Sequence, residues 1–322
     1  MTDLPLYAIC LILGAAGAWI MARWGKALGL LDKPNGRSSH AMPTSKGGGI
    51  GILAAFIVVS SFLQMPSSCW VPAIFLALLS LWGDRFDLSP KIRLPLQFIA
   101  ALVFIQFSAF RLQPSALLIF FLVVFIVATA NWYNFMDGIN GIAALTGIVG
   151  FGLLAVFNVL SGADSRFSVL STCIALSCLG FLPFNMPKAK VFMGDVGSIL
   201  LGFVFAAIAI LLSKSFLDFV CLAAFLFPFY ADEILTMALR VKDGESLLKP
   251  HRRHLYQILA NETGIDHWKV SVGYGILQAI VGLSILLARP FGILTILVLL
   301  IIFFSGFVWA NYFIRTRMVR SF

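Results

Sequence analysis

Hydrophobic positions in this chain come in long unbroken runs. They show neither the spaced stripe of a soluble helix nor the strict alternation of a half-buried strand. The runs fall at about residues 4–22, 47–64, 70–82, 94–110, 115–130, 142–160, 167–183, 197–213, 216–239, 270–288 and 291–314, the third being short. A helix needs about 20 apolar residues to cross a bilayer, and backbone groups in lipid must be satisfied within their own segment. The pattern therefore predicts an all-α, polytopic membrane fold of about 11 spans. No linker or soluble domain interrupts residues 1–322, which read as one transmembrane unit. The opening Met-Thr-Asp-Leu-Pro lacks a basic leader, so the first run reads as a retained helix.

Composition agrees: 60% of residues are hydrophobic, 11% are charged, and the mean hydropathy is +0.98. Soluble domains carry about 25% charged residues, so a soluble class is excluded. The five cysteines (10, 69, 173, 178 and 221) lie in or beside apolar runs without a CxxC pair, as small hydrophobes do. A net charge of +9 would suit nucleic acid, but topology accounts for it better. With the N-terminus outside, 19 of the 23 Lys and Arg fall on inner segments and only Arg111, Arg166, Lys214 and Arg289 on outer ones. That positive-inside bias predicts a periplasmic N-terminus and a cytoplasmic C-terminus. All acids except Asp3, Asp164 and Asp218, and all four His, are then cytoplasmic as well.

Five inner segments carry the candidate chemistry. The first, Asp32 to Lys46, holds Arg37 and His40 and runs into Gly47-Gly48-Gly49; it suits phosphate at a helix start or is simply a basic topology signal. In Trp82-Gly-Asp-Arg-Phe-Asp-Leu-Ser-Pro-Lys-Ile-Arg93, Asp84 and Asp87 share a helical face, with Lys91 and Arg93 close behind. These groups either hold a metal-bound phosphate or pair with one another. The third, Asn131-Trp-Tyr-Asn-Phe-Met-Asp-Gly-Ile-Asn-Gly141, sets Asp137 among amides where a helix meets water. Turn chemistry explains Gly138 and Gly141 but not Asp137 beside Asn131 and Asn134. In the fourth, Asn185 to Ser198, Asp195 lies between two glycines at the mouth of a span, as a Mg²⁺ ligand or a helix N-cap. The fifth, Arg240 to Lys269, contains Pro250-His-Arg-Arg-His-Leu-Tyr-Gln257, where His251 and His254 are three apart and suit phosphate contact or acid–base work. Asp232 and Glu233 lie just before it. Carboxylates, amides and bases converging from five segments fit divalent metal plus phosphate chemistry.

The motifs NxxNFMDGxNG, VFMGDxGS and HRxHLY, preceded by DxPNxRSSH…PTxxGGG and DRFDLSxKIR, resemble those of the polyprenyl-phosphate N-acetylhexosamine-1-phosphate transferases. The resemblance spans about residues 30 to 260. The HRRHLYQ form is closer to enzymes that initiate O-antigen or common-antigen assembly than to phospho-N-acetylmuramoyl-pentapeptide transferase. It implies transfer of a sugar 1-phosphate from a UDP-N-acetylhexosamine to undecaprenyl phosphate, with Mg²⁺ (or Mn²⁺), on the cytoplasmic face of a bacterial inner membrane. Nucleic acid is not a partner on this reading, and a homodimer is compatible with it. By motif, Asp195 would ligate the metal and Asp137, Asn134 and Asn131, with Gly138, would line the nucleotide and metal site. Asn185 and Phe192 would bond and stack the uracil. His251 and His254, flanked by Arg252 and Arg253, would meet sugar or pyrophosphate, and Lys91 the lipid phosphate.

One departure stands out. The family pairs two aspartates where this chain has Gly83-Asp84. Either Asp84 suffices, Asp87 substitutes or activity is reduced, and restoring Asp at position 83 is expected to raise turnover. The rival readings are a polyprenyl-chain transferase, which would need two DxxD-type sites, and a secondary transporter, which would place charges near the bilayer midplane.

Overall fold

The computed structural model describes residues 3–34, 39, 42–86, 88–108, 115–246 and 251–319, without the side chains of residues 69, 108, 318 and 319. Every apolar run is helical. In chain order the helices are α1 (Leu4–Trp24), α2 (Ile50–Phe62), α3 (Ser67–Phe86), α4 (Pro90–Ser108), α5 (Ala116–Phe135), α6 (Ile142–Ser161) and α7 (Ser165–Asn185). After them come α8 (Asp195–Leu212), α9 (Phe216–Ala223), α10 (Phe227–Lys242), α11 (Leu255–Asn261), α12 (His267–Ala288) and α13 (Ile293–Val319). The ninth run is broken: a 3₁₀ turn at Ala224–Leu226 separates α9 from α10, and Pro228 in the first turn of α10 has no amide to continue the ladder.

Among the described residues, nine segments are long and apolar enough to cross a membrane. Two of the eleven expected spans, α2 and α3, are not among these nine. α2 has 13 residues, about 20 Å at 1.5 Å per residue, which is short of a hydrocarbon core of about 30 Å. α3 has 20 residues, with Asp84 and Arg85 in its last turn. The protein is an all-α, multi-span membrane protein. Its only strands among the described residues are the two-residue β1 (Leu31–Asp32) and β2 (Thr44–Ser45), paired antiparallel after α1.

α8 is the axis of the bundle. It packs against α3, α5 and α6, and 89% of it is buried, against 11% of the apolar window of α13. Beyond Ser198 its side chains are apolar around the whole circumference, as a helix enclosed on all sides requires. Its first residue, Asp195, thus stands at the centre of one end of the bundle.

Small residues let the other helices close in. A Cβ at Gly180 of α7 would lie 2.0 Å from the carbonyl oxygen of Leu11, and one at Gly14 of α1 would lie 2.0 Å from that of Ser177. Helices in lipid associate by such close packing of small residues, because no hydrophobic difference drives them together. We expect Gly180→Ala to cost about 2–3 kcal/mol, the upper part of the overpacking range. Thermal unfolding in detergent checks this, and an unchanged midpoint would rule out the α1–α7 contact.

Candidate active site

Six polar side chains meet at the start of α8: Asp195, Ser198, Asn134, Arg93, Asp84 and Lys46. Gly194 precedes it with φ +74°, a conformation that favours glycine; a Cβ there would also lie 2.9 Å from Asp84 Oδ2 and 2.8 Å from the Gly47 nitrogen. Gly194, not Asp195, is the N-cap, so the capping reading of Asp195 does not hold. The Asp195 carboxylate points outward from its helix. Its Oδ1 accepts from Asn134 Nδ2 at 2.8 Å, and its Oδ2 pairs with Arg93. The backbone N–H of Asp195 donates to Asp84 Oδ2 at 3.0 Å, and Lys46 Nζ lies 3.2 Å from Asp84 Oδ1. Asn134 also donates to Ser198 Oγ at 2.8 Å. The ends of α3, α4, α5 and α8 are tied together through these groups.

Asp137 lies in the loop between α5 and α6. Its carboxylate has no hydrogen bond or ion pair among the described residues. Burial, then the charges of Asp195 and Asp84, push its carboxyl well above the usual range. Three carboxylates thus share one region, and among the described residues Lys46 and Arg93 are the cations paired with them. The donor set is hard oxygen, although among the described residues no three His, Cys, Asp or Glu stand close enough to hold an ion by themselves.

Several candidates have other work. Asn131 donates to Gln97 Oε1 (2.6 Å) and to the Val127 carbonyl, fixing α5 against α4 one turn from Asn134. The Asn185 amide is buried, accepting from Gly141 N–H (2.5 Å) and donating to the Val191 carbonyl (2.9 Å). It staples two loops together instead of offering both ends to a base. Gly138 accommodates Tyr256: a Cβ there would lie 2.2 Å from the tyrosine hydroxyl. Phe192 is half-buried, and its backbone joins the loop after β2, donating to Ser45 O at 2.8 Å and accepting from Gly48 N–H at 2.9 Å. Gly49 N–H likewise donates to Met193 O at 2.9 Å. The phosphate-cradle reading of Gly47–Gly49 is corrected by these bonds, because two of its amides already have carbonyl partners.

The basic and imidazole groups divide the same way. Arg93 reaches the site; Lys91, on the exposed first turn of α4, does not. Arg253 is clamped by Asp243 (2.5 Å) and Glu245 (2.6 Å), so its guanidinium serves the α10–α11 connection. Arg252 is half-buried beside it. His254 is buried, with Nδ1 3.7 Å from Asp232 and Nε2 3.3 Å from Glu233. Burial opposes its protonation, but Asp232 and Glu233 prevail and raise its pKa. This enclosure corrects its assignment to substrate chemistry. His251 is half-buried, its ring 4.8 Å from that of His254. Its pKa is lowered to about 4 by burial and the neighbouring His254 and Arg240, so it is neutral at pH 7. Arg37, His40 and Asp87 lie outside the described residues.

Lys46, Ser198 and Gln97 were not singled out in the sequence. Ser198 follows Asp195 by three, the spacing that puts two side chains on one helix face, so its signal was present. Nothing marks Lys46 among the other loop bases, or Gln97 within an apolar helix.

Residues 67–213 match glycosyl transferase family 4. An undecaprenyl-phosphate alpha-N-acetylglucosaminyl 1-phosphate transferase of Thermotoga maritima is 29% identical over 276 residues, 82% of this chain and 85% of that protein. A decaprenyl-phosphate N-acetylglucosaminephosphotransferase of Mycobacterium leprae is 29% identical over 74% of this chain and 71% of its own length. Over about three quarters or more of its length, the chain is thus similar to polyprenyl-phosphate N-acetylglucosamine-1-phosphate transferases. A phospho-N-acetylmuramoyl-pentapeptide-transferase of Staphylococcus saprophyticus is 32% identical, over 56% of this chain and 57% of that protein. The names of these relatives give different sugars.

Position 83 can be judged from the same geometry. A Cβ there would lie 3.8 Å from Arg93 Cδ and 3.9 Å from Arg93 Nε, with Leu88 Cβ at 3.3 Å. An aspartate at 83 would meet the guanidinium that balances Asp195, which is no place for a free base. The expectation of higher turnover is revised accordingly: Gly83→Asp should lower it several-fold, and steady-state kinetics against Gly83→Ala separates the charge from the added Cβ.

Proposed function

We propose that this protein transfers N-acetylhexosamine-1-phosphate from a UDP-sugar to undecaprenyl phosphate at the cytoplasmic face of a bacterial inner membrane. This is the first membrane step in building O-antigen or another surface polysaccharide. The observation that carries the reading is the cluster of Asp84, Asp137, Asp195 and Asn134 at the end of the central helix, among residues that match the family's motifs. The cytoplasmic placement rests on the charge bias: Asp84 and Asp195 come from segments that carry Arg85, Lys91, Arg93, Lys188 and Lys190, and Asn134 and Asp137 meet them at the same end of the bundle.

An oxygen of the lipid phosphate attacks the β-phosphorus of the UDP-sugar. One P–O bond forms, the α–β anhydride breaks, and UMP leaves with the bonding pair on its α-phosphate oxygen. A lipid monophosphate is largely dianionic near pH 7, its second pKa being about 6 by analogy with phosphate monoesters. Orientation and charge neutralisation therefore matter more than a strong base. Bound Mg²⁺, or Mn²⁺, held by Asp195 and Asp137, would supply the positive charge that a pyrophosphate needs. Asn134 and Ser198 orient Asp195, Lys46 balances Asp84, and Arg93 is placed to exchange Asp195 for a phosphate oxygen. His251, neutral at pH 7, is available as a hydrogen-bond partner and not as a fixed cation.

Incubating the purified protein with a UDP-N-acetylhexosamine, undecaprenyl phosphate and Mg²⁺ should release UMP. Asp195→Asn should lower the rate by about 10²–10³-fold, the scale for losing one group that stabilises transition-state charge. No UMP from any UDP-N-acetylhexosamine would overturn the reading.

A pH dependence follows from Asp137. Its folded pKa lies above the unfolded value of about 3.9, so the folded state holds the extra proton between those two values. Its contribution to metal-free stability is full below the lower value and is lost as pH rises through the upper one. Because Mg²⁺ competes with that proton, the rise in melting temperature on adding Mg²⁺ should grow with pH and shrink on acidification. A pH-independent rise would remove Asp137 from the metal site.

A further inference from the structure

A chain of buried contacts joins α10 to the loop that carries Asp137, and the transfer reaction as proposed makes no use of it. It begins at Asp232, which is fully enclosed. Asp232 Oδ1 accepts from the Leu255 N–H (2.9 Å) and the Thr236 hydroxyl (3.2 Å), and Oδ2 accepts from the Tyr256 N–H (3.3 Å) and the Tyr274 hydroxyl (2.7 Å). Leu255 and Tyr256 open α11, and Tyr274 belongs to α12, so one carboxylate locks three helices together. Charge-assisted bonds to a buried carboxylate are among the stronger ones available to a protein.

Tyr256 carries that fixed position forward. Its ring stacks on His254 at 5.6 Å and is wholly buried. Burial first, then Asp232 and Asp137, push its phenol well above the ordinary value, so it keeps its proton and donates. The hydroxyl donates to the Phe135 carbonyl at 3.0 Å. It also fills the space where a side chain at 138 would begin: a Cβ there would lie 2.2 Å from Oη and 3.1 Å from both Cε2 and Cζ. Tyr256 therefore touches the backbone two residues before Asp137 and one residue after it. The Asp137 carboxylate has no partner of its own among the described residues, so only the backbone fixes its position.

We infer that Tyr256, anchored by Asp232, is a positioning residue for Asp137, and that residue 138 is glycine to admit the tyrosine hydroxyl. The inference rests on the reading that Asp137 helps to hold a divalent cation. It gives the HRRHLYQ segment a second duty: its tyrosine sets the geometry of a ligand on another helix connection.

The test is Mn²⁺ binding to the purified full chain without substrates, followed by electron paramagnetic resonance, with melting temperatures measured alongside. Gly138→Ala should weaken Mn²⁺ binding by about 10-fold or more, the scale for losing an outer-shell partner of a metal ligand. Tyr256→Phe, which keeps the ring and removes only the hydroxyl, should weaken it less. Combining the two should restore binding to the level of Tyr256→Phe, because the closest approach relaxes from 2.2 to 3.1 Å. Wild-type affinity in Gly138→Ala, or a double variant no better than Gly138→Ala, overturns the inference. Should Gly138→Ala fail to fold, Tyr256→Phe decides alone, and unchanged Mn²⁺ affinity in it is the contrary result. Absence of Mn²⁺ binding in the wild type brings down the cation reading and this inference together, whereas equal binding in the wild type and all variants brings down only the latter.

Discussion

Like charge gathered at the end of a buried helix is the constraint on which the rest of this site depends. Asp195 begins the most enclosed helix of the bundle, and Asp84 and Asp137 are brought beside it from two other helix ends. Carboxylates so placed repel one another, and the charges of Asp195 and Asp84 add to burial in raising the proton affinity of Asp137. Lys46 and Arg93 offset two of the three charges, and both are partly exposed, so screening keeps each pair modest in strength. The arrangement is better suited to receiving positive charge than to holding the fold together. A divalent cation with a pyrophosphate would complete it.

Two polar layers lie at this end of the bundle, and they differ in burial more than in residue type. The outer one contains Asp84, Asp137, Asp195, Asn134, Lys46 and Arg93, all with some access to solvent or to partners that can exchange. The inner one contains Asp232, Glu233, His254 and Tyr274, closed off and committed to one another. Both layers are rich in the residues from which active sites are made. Only their depth tells chemistry from scaffolding, and Tyr256 is where the two layers meet.

That division explains how much was legible in the sequence. Helices in lipid must be apolar over most of their length, so the runs showed directly, and the charges that interrupt them marked the segments that converge. Asp195 and Asn134 were legible because a carboxylate and an amide at a span's mouth have a cost that turn chemistry does not explain. The partners were not legible. Lys91 and Arg93 are two residues apart on one helix start, yet the helix turns one toward Asp195 and the other outward. Arg253 sits among motif residues but faces Asp243 and Glu245. Asn185 and the Gly48 and Gly49 amides look free in the sequence because their partners come from remote loops. Gly83 illustrates the same limit: its meaning depends on Arg93, ten residues later, and on where that guanidinium points.

The most direct test of the central claim is a structure of the full chain with Mn²⁺ and a UDP-N-acetylhexosamine, using the anomalous signal of manganese. The account predicts a peak within bonding distance of Asp195 and Asp137, with the pyrophosphate against it and Arg93 moved from Asp195 onto a phosphate oxygen. A manganese peak elsewhere, or Arg93 still paired with Asp195 beside a bound nucleotide sugar, would contradict it.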